Sequence, residues 1–137
     1  MKIRSIYALA TILALAATIG AQSASAQSVD LRSNVPFEFY AGGKLFPAGT
    51  YLVSKVNPTT LRLRDSRGKA IFISAGRETV GMNDGSWLVF NQYGDRSFFA
   101  GAYWSGSGNS LRIPASQAER EVAKTASQPS PIRIAAK

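Results

Sequence analysis

Val35-Pro36-Phe37-Glu38-Phe39-Tyr40-Ala41-Gly42-Gly43-Lys44-Leu45-Phe46-Pro47-Ala48-Gly49-Thr50-Tyr51-Leu52-Val53 is the stretch that decides the fold class. Val35, Phe37 and Phe39 alternate with Pro36, Glu38 and Tyr40, the period of a half-buried strand. Gly42-Gly43 supplies positive φ for a tight turn, and Pro47-Ala48-Gly49 supplies a second bend. Tyr51-Leu52-Val53 opens another β-prone run. Pro36 has no amide to give, so it belongs at a strand start, an edge or a bulge. Gly42-Gly43-Lys44 does not make a phosphate loop, because no helix start follows to receive an anion.

The same punctuation continues outward. Residues 27–34 read as a leader strand, and 51–56, 59–65, 70–75, 86–92 and 96–104 as further strands. Asn57-Pro58, Ser66-Arg67-Gly68-Lys69 and Tyr93-Gly94-Asp95 are turns. Ala70-Ile71-Phe72-Ile73-Ser74-Ala75 is apolar on both faces and is expected to be a central strand. Residues 105–110 read as flexible and polar. About seven short strands at roughly 8–12-residue spacing predict an all-β fold, a small antiparallel β-sandwich or barrel. Ser116-Gln117-Ala118-Glu119 has capping-box spacing and starts a short C-terminal α-helix.

The bulk properties set the organisation. The chain has 137 residues, one domain's worth. Lys2 and Arg4, an apolar run over 6–21 and Ala24-Ser25-Ala26 follow the order of a secretory signal peptide. The expected division is 1–26 signal peptide, 27–114 β domain, 115–124 helix and 125–137 a disordered tail containing Pro129 and Pro131. Removing the first 26 of the 137 residues takes away Lys2 and Arg4 and lowers the formal charge from +8 to +6. No transmembrane span is expected in the remainder. With no cysteine, folding rests on packing alone.

Absences bound the chemistry. There is no histidine and no cysteine. That removes the usual general base, the serine–histidine and cysteine–histidine nucleophiles, and thiolate metal sites. Glu38 and Glu78 are the one carboxylate pair that could be drawn as a hydrolase, without a motif to support it. Asn83-Asp84-Gly85 reads as a turn, because a calcium loop needs more carboxylates than it has. No cofactor or metal is expected, and no catalytic residue is assigned.

Two clusters remain. Arg62, Arg64, Arg67 and Lys69 gather around one hairpin, with the two arginines on one face able to line up with Lys55 or Arg77. Such a patch suits an anionic polysaccharide or lipid headgroup, and it equally suits a solvated face that discourages edge pairing. Nucleic acid is disfavoured as a partner of an exported chain. Trp87, Tyr103 and Trp104 belong to an aromatic run that offers either a buried core strand or a platform for sugars or a partner. Simple parity on 96–104 groups Phe98 with Trp104 and Phe99 with Tyr103.

Val35-Pro36-Phe37-Glu38-Phe39, Gly43-Lys44, Pro47-Ala48-Gly49-Thr50-Tyr51, Leu61-Arg62-Leu63-Arg64, Leu88-Val89-Phe90, Tyr93-Gly94-Asp95 and Glu119-Arg120-Glu121 together resemble a family of small exported bacterial proteins. The resemblance covers roughly Val35 to Lys124. It implies export and a compact β-rich domain with a C-terminal helix, and it brings no activity, ligand or site residue. The expected function is a non-enzymatic structural or interaction module of the envelope, periplasmic or extracellular. The alternatives are a binder of anionic glycan or lipid headgroups, and a carboxylate-based hydrolase.

Overall fold

A computed structural model gives the structure of residues 29–79, 85–106 and 109–137. The expected signal peptide at 1–26 lies outside the described residues, as do Asn83 and Asp84. In chain order the strands are β1 (Leu31–Val35), β2 (Phe39–Ala41), β3 (Lys44–Phe46), β4 (Gly49–Asn57), β5 (Thr60–Asp65), β6 (Ala70–Ser74), β7 (Gly76–Thr79), β8 (Ser86–Tyr93), β9 (Arg96–Tyr103), β10 (Asn109–Arg112) and β11 (Ser130–Ala136). One helix, α1 (Gln117–Thr125), precedes β11.

These strands form an all-β sandwich with a short C-terminal helix. One sheet runs β1-β4-β5-β6, and the other β11-β8-β9-β10-β7, with the β2–β3 hairpin attached to β9. Among the described residues the pairings are antiparallel except one: β2 meets β9 in parallel at Tyr40 and Phe98. Leu31, Val53, Leu61, Leu63 and Ile73 face inward from the first sheet; Leu88, Phe90, Phe99, Ala102 and Leu111 face them from the second. Among the described residues, no helix is long and apolar enough to cross a membrane.

The opening stretch carries the chain from one sheet to the other and back. Val35 ends β1 in the first sheet, and Phe39 begins β2 in the second. Pro36 follows the strand end, which is where a residue without an amide is tolerated. Pro47 and Ala48 then return the chain to β4. Between them the two-residue turn has φ of +56° at Gly42 and +76° at Gly43. Two successive positive φ values make the turn that matches strand twist in a hairpin. The reward is Phe39, fully buried at the centre of an aromatic core. Its ring stands 5.6 Å from Phe46, 5.0 Å from Tyr51, 5.1 Å from Phe90 and 6.4 Å from Phe99.

The expected seven strands become eleven among the described residues, and the differences have identifiable causes. The run at 35–40 is broken at Pro36–Glu38 by the change of sheet. Asn109 and Ser110, at the end of the stretch read as flexible, open β10, which pairs on both sides, with β9 and β7. The expected disordered tail at 125–137 contains β11, paired with β8 over its whole length. Ile132, Ile134 and Ala136 alternate toward the core, and the prolines concealed that alternation. The expected central strand at 70–75 is instead an edge strand, since among the described residues β6 pairs with β5 alone.

A bulge in β9 overturns the parity reading. The pairing with β8 shifts between Val89 and Phe90, so Gly101 opposes Val89 while Phe99 opposes Phe90. The extra residue, Ala100, reverses the alternation after it. Phe98 and Tyr103 therefore lie on the outer face, and Phe99 and Trp104 turn toward the core.

Beside that bulge β10 comes very close. A Cβ on Gly101 would stand 2.6 Å from the Leu111 carbonyl oxygen. Both partners are backbone, so the clash cannot be relieved by a rotamer. Gly101→Ala is expected to cost at least about 1–3 kcal/mol through forced displacement of β10. A melting temperature equal to the parent's, with β10 amides still protected from exchange, would contradict that close approach.

The two sheets are joined along one side by a seam. The Arg32 amide donates to the Lys137 carbonyl at 2.7 Å, and the Lys137 amide returns a bond to Arg32 at 3.0 Å. Buried Ser33 donates from Oγ to the Ala135 carbonyl at 2.8 Å. This seam occupies the free sides of β1 and β11, which would otherwise be open edges.

Candidate functional site: a basic cleft at the β5–β6 hairpin

The hairpin between β5 and β6 is shaped by Asp65. Its Oδ1 accepts from the amides of Arg67 and Lys69, each at 2.9 Å. The Gly68 amide donates to the Asp65 carbonyl at 3.1 Å, and Gly68 takes a φ of +88°. This is a type I turn closed by a left-handed residue. A short acidic side chain that caps its own turn is a familiar device. Here it leaves Arg67 and Lys69 presented at the tip while the carboxylate is occupied.

Opposite the hairpin lies the bend at Pro47–Gly49. Tyr51 holds that bend by donating from Oη to the Pro47 carbonyl. Burial, and then the nearby Asp65 carboxylate, raises the Tyr51 hydroxyl above its ordinary pKa, so it stays a neutral donor. Between bend and hairpin is a cleft of about 390 Å³ whose charged walls are Lys44, Arg67, Lys69 and Asp65. A second depression, about 200 Å³, lies against the same hairpin and is lined by Arg32, Arg64 and Asp65 among others. Arg32 reaches it because β1 pairs with β4 with Arg32 opposite Leu52, and Leu52 is opposite Arg64.

The structure thus separates the four expected basic residues. Arg67 and Lys69 share the larger cleft, and Arg64 lies in the smaller. Arg62 is withdrawn. Its Nη2 donates to Ser54 Oγ at 3.2 Å, Ser54 donates to Asp30, and the Arg62 Nε is buried. The expected alignment with Lys55 or Arg77 does not occur: Arg62 stands opposite Ser54 and Phe72, and Arg77 is in the other sheet. Lys44 and Arg32 join the site without having been expected. The ion pairs among the described residues are Arg112–Glu78 and Lys124–Glu121. Arg32, Lys44, Arg64, Arg67 and Lys69 are in neither.

The aromatic candidates also divide. Trp87 and Tyr103 stack on the outer face of the second sheet at 5.5 Å, and the Arg133 guanidinium lies 5.3 Å from the Trp87 ring. Tyr103 Oη donates to Glu78 at 3.3 Å; burial first, and then that carboxylate, raises its pKa. Trp104 is elsewhere, packed against the core with its Nε1 donating to the Val29 carbonyl at 2.9 Å. All three are half-buried. Glu38 is exposed on the connection from β1 to β2, and Glu78 is engaged by Arg112 and Tyr103.

One buried acid escaped the sequence reading. Glu119 is 4% exposed, and its Oε1 accepts from Asn91 Nδ2 at 3.0 Å and Tyr93 Oη at 3.1 Å. Ser116 caps the helix as expected, accepting from the Glu119 amide at 3.1 Å. The carboxylate itself clamps α1 to β8. Burial and this bond hold the Tyr93 hydroxyl above its ordinary pKa. No group of residues able to hold a metal ion occurs among the described residues. Comparison with protein-family models, with curated proteins and with solved structures found no match.

Proposed function

We propose that the protein is an exported, non-enzymatic interaction module of the bacterial envelope, and that it takes anionic groups of an acidic polysaccharide at the cleft between the Pro47–Gly49 bend and the β5–β6 hairpin. One observation carries the reading: five cations surround the hairpin without an ion pair among the described residues, while the one carboxylate of the lining, Asp65, is spent on its own turn. Lys44, Arg67 and Lys69 would supply the charge, and the Ser66 hydroxyl a neutral hydrogen bond. The signal-peptide pattern supports export. The chain supplies no histidine or cysteine with which to build the usual hydrolytic centres.

The test is retention on immobilised alginate along a salt gradient. Charge-driven binding must weaken as salt screens it. Arg67→Glu combined with Lys69→Glu is expected to weaken binding about tenfold or more, since each exposed pair is worth up to about 1 kcal/mol and reversal counts twice. Arg96→Glu with Arg120→Glu changes net charge equally at two other exposed positions. If both pairs of substitutions weaken retention alike, net charge and not the cleft is responsible, and the assignment of the site fails.

A further inference from the structure

The edge strand β6 is weakly protected, with Lys69 just before its start and neither charge nor proline within it. Among the described residues nothing pairs with its outer side. Other edges are guarded: β7 carries Arg77 and Glu78, and β3 carries Lys44 and is followed by Pro47. Charge and proline are how natural edges avoid pairing with other chains. The five residues of β6, Ala-Ile-Phe-Ile-Ser, hold neither. Phe72 at its centre is 66% exposed.

The ladder fixes which backbone groups point outward. The Asp65 amide donates to the Lys69 carbonyl, and the Ala75 amide donates to the Thr59 carbonyl, both at 2.9 Å. Bonded pairs alternate in an antiparallel ladder. With Leu63 opposite Ile71 and Leu61 opposite Ile73, those are the other bonded pairs. Ala70, Phe72 and Ser74 therefore turn their N–H and C=O groups away from β5.

The sequence of β6 is almost palindromic about that same Phe72. We propose that β6 is a homodimerisation edge, pairing antiparallel with β6 of a second copy in the register that sets Phe72 opposite Phe72. The two-fold axis then falls on a residue whose amide and carbonyl both face the partner. Ala70 opposes Ser74, and six outward groups per copy find acceptors or donors. Ile71 opposes Ile73 on the inner face, extending the core. The two exposed Phe72 rings become a cross-strand aromatic pair that covers both. Charge does not oppose the arrangement. Arg62 is one strand inward from Phe72, so the two Arg62 backbones stand three strand spacings apart, roughly 14 Å, beyond a screening length of about 8 Å. The inference is independent of the anionic ligand proposed above.

A cysteine-free chain makes the register directly testable. Bonded antiparallel partners have Cα atoms about 5.5 Å apart, inside disulfide range. Phe72→Cys is expected to give a disulfide-linked dimer on mild oxidation. Ala70→Cys should not, because its two copies lie roughly 14 Å apart along the strands. By sedimentation velocity the parent is expected to dimerise with rising concentration. Phe72→Pro removes an outward amide without touching the bonds to β5, so it is expected to be a folded monomer. Phe72→Lys, which keeps the backbone intact, should be monomeric too. A parent that stays monomeric at every concentration, a dimer that survives both substitutions, or crosslinking of Ala70→Cys as efficient as that of Phe72→Cys would each overturn the proposal.

Discussion

Phe39→Ala is expected to lose about 3–5 kcal/mol of stability, the range for emptying a fully enclosed phenylalanine site. Phe39 is completely buried, and four other rings lie within 6.4 Å of its own. Two of them, Phe90 and Phe99, belong to β8 and β9, while Tyr51 comes from β4 in the opposite sheet. The site cannot collapse easily, because its walls are held by ladders in both layers. For a domain of about 100 residues each kcal/mol moves the melting temperature by roughly 4 °C or more, so a fall of about 12 °C or more should be seen by circular dichroism. Phe39→Leu, which keeps most of the volume, should fall much less. A variant with alanine that melts within a few degrees of the parent would mean that Phe39 does not sit where the two layers meet.

Deleting residues 129–137 is expected to abolish cooperative folding. Such a deletion strips β11 from β8 along seven register positions. It exposes the β8 edge, takes Ile132, Ile134 and Ala136 from the core, and removes the acceptor of the buried Ser33 hydroxyl. It also frees β1 on its outer side, since the bonds between Arg32 and Lys137 go with it. An unpaired hydroxyl in the interior alone costs about 1–3 kcal/mol. The measurement is the thermal transition of the shortened chain. A sharp transition near the parent's temperature would show that the segment is an ornament on a finished fold. Ile134→Asp in the full-length chain should give a milder loss in the same direction.

What was legible in the sequence was local. The glycine turns at Gly42-Gly43 and Gly68, the alternation of Leu61 and Leu63, and the Ser116 cap each depend on neighbours a few residues apart. The missed features depend on distant partners. Ala70–Ser74 is apolar on both faces, yet Ile73 alone of the five is buried, because composition does not say which strand, if any, lies beside it. Ile132, Ile134 and Ala136 alternate as a strand should, but Pro129 and Pro131 outweighed them; Pro131 is tolerated because β11 has β8 on only one side. The β9 bulge inserts one residue at Ala100, so Tyr103 shares the outer face with Phe98 and Trp104 the inner face with Phe99, the reverse of simple alternation. At the candidate site, Arg67 and Lys69 were readable because one turn carries both. Arg32 and Lys44 were not, because sheet register and the Pro47–Gly49 bend bring them in from more than twenty residues away.

The Ser33–Ala135 bond spans 102 residues of chain. A polypeptide is made, and threaded across a membrane, from its N-terminus. β1 and β4 therefore emerge long before the segment that closes the side of the sandwich. Until then the β8 edge and the inner face of β1 have no cover, and local pairing cannot supply it. Closure at such separation is slow, since the loop entropy must be met before the contact forms. If the chain is exported, this delay acts as a built-in timer: the protein stays threadable through a narrow channel, and it locks only when its last strand has arrived on the far side.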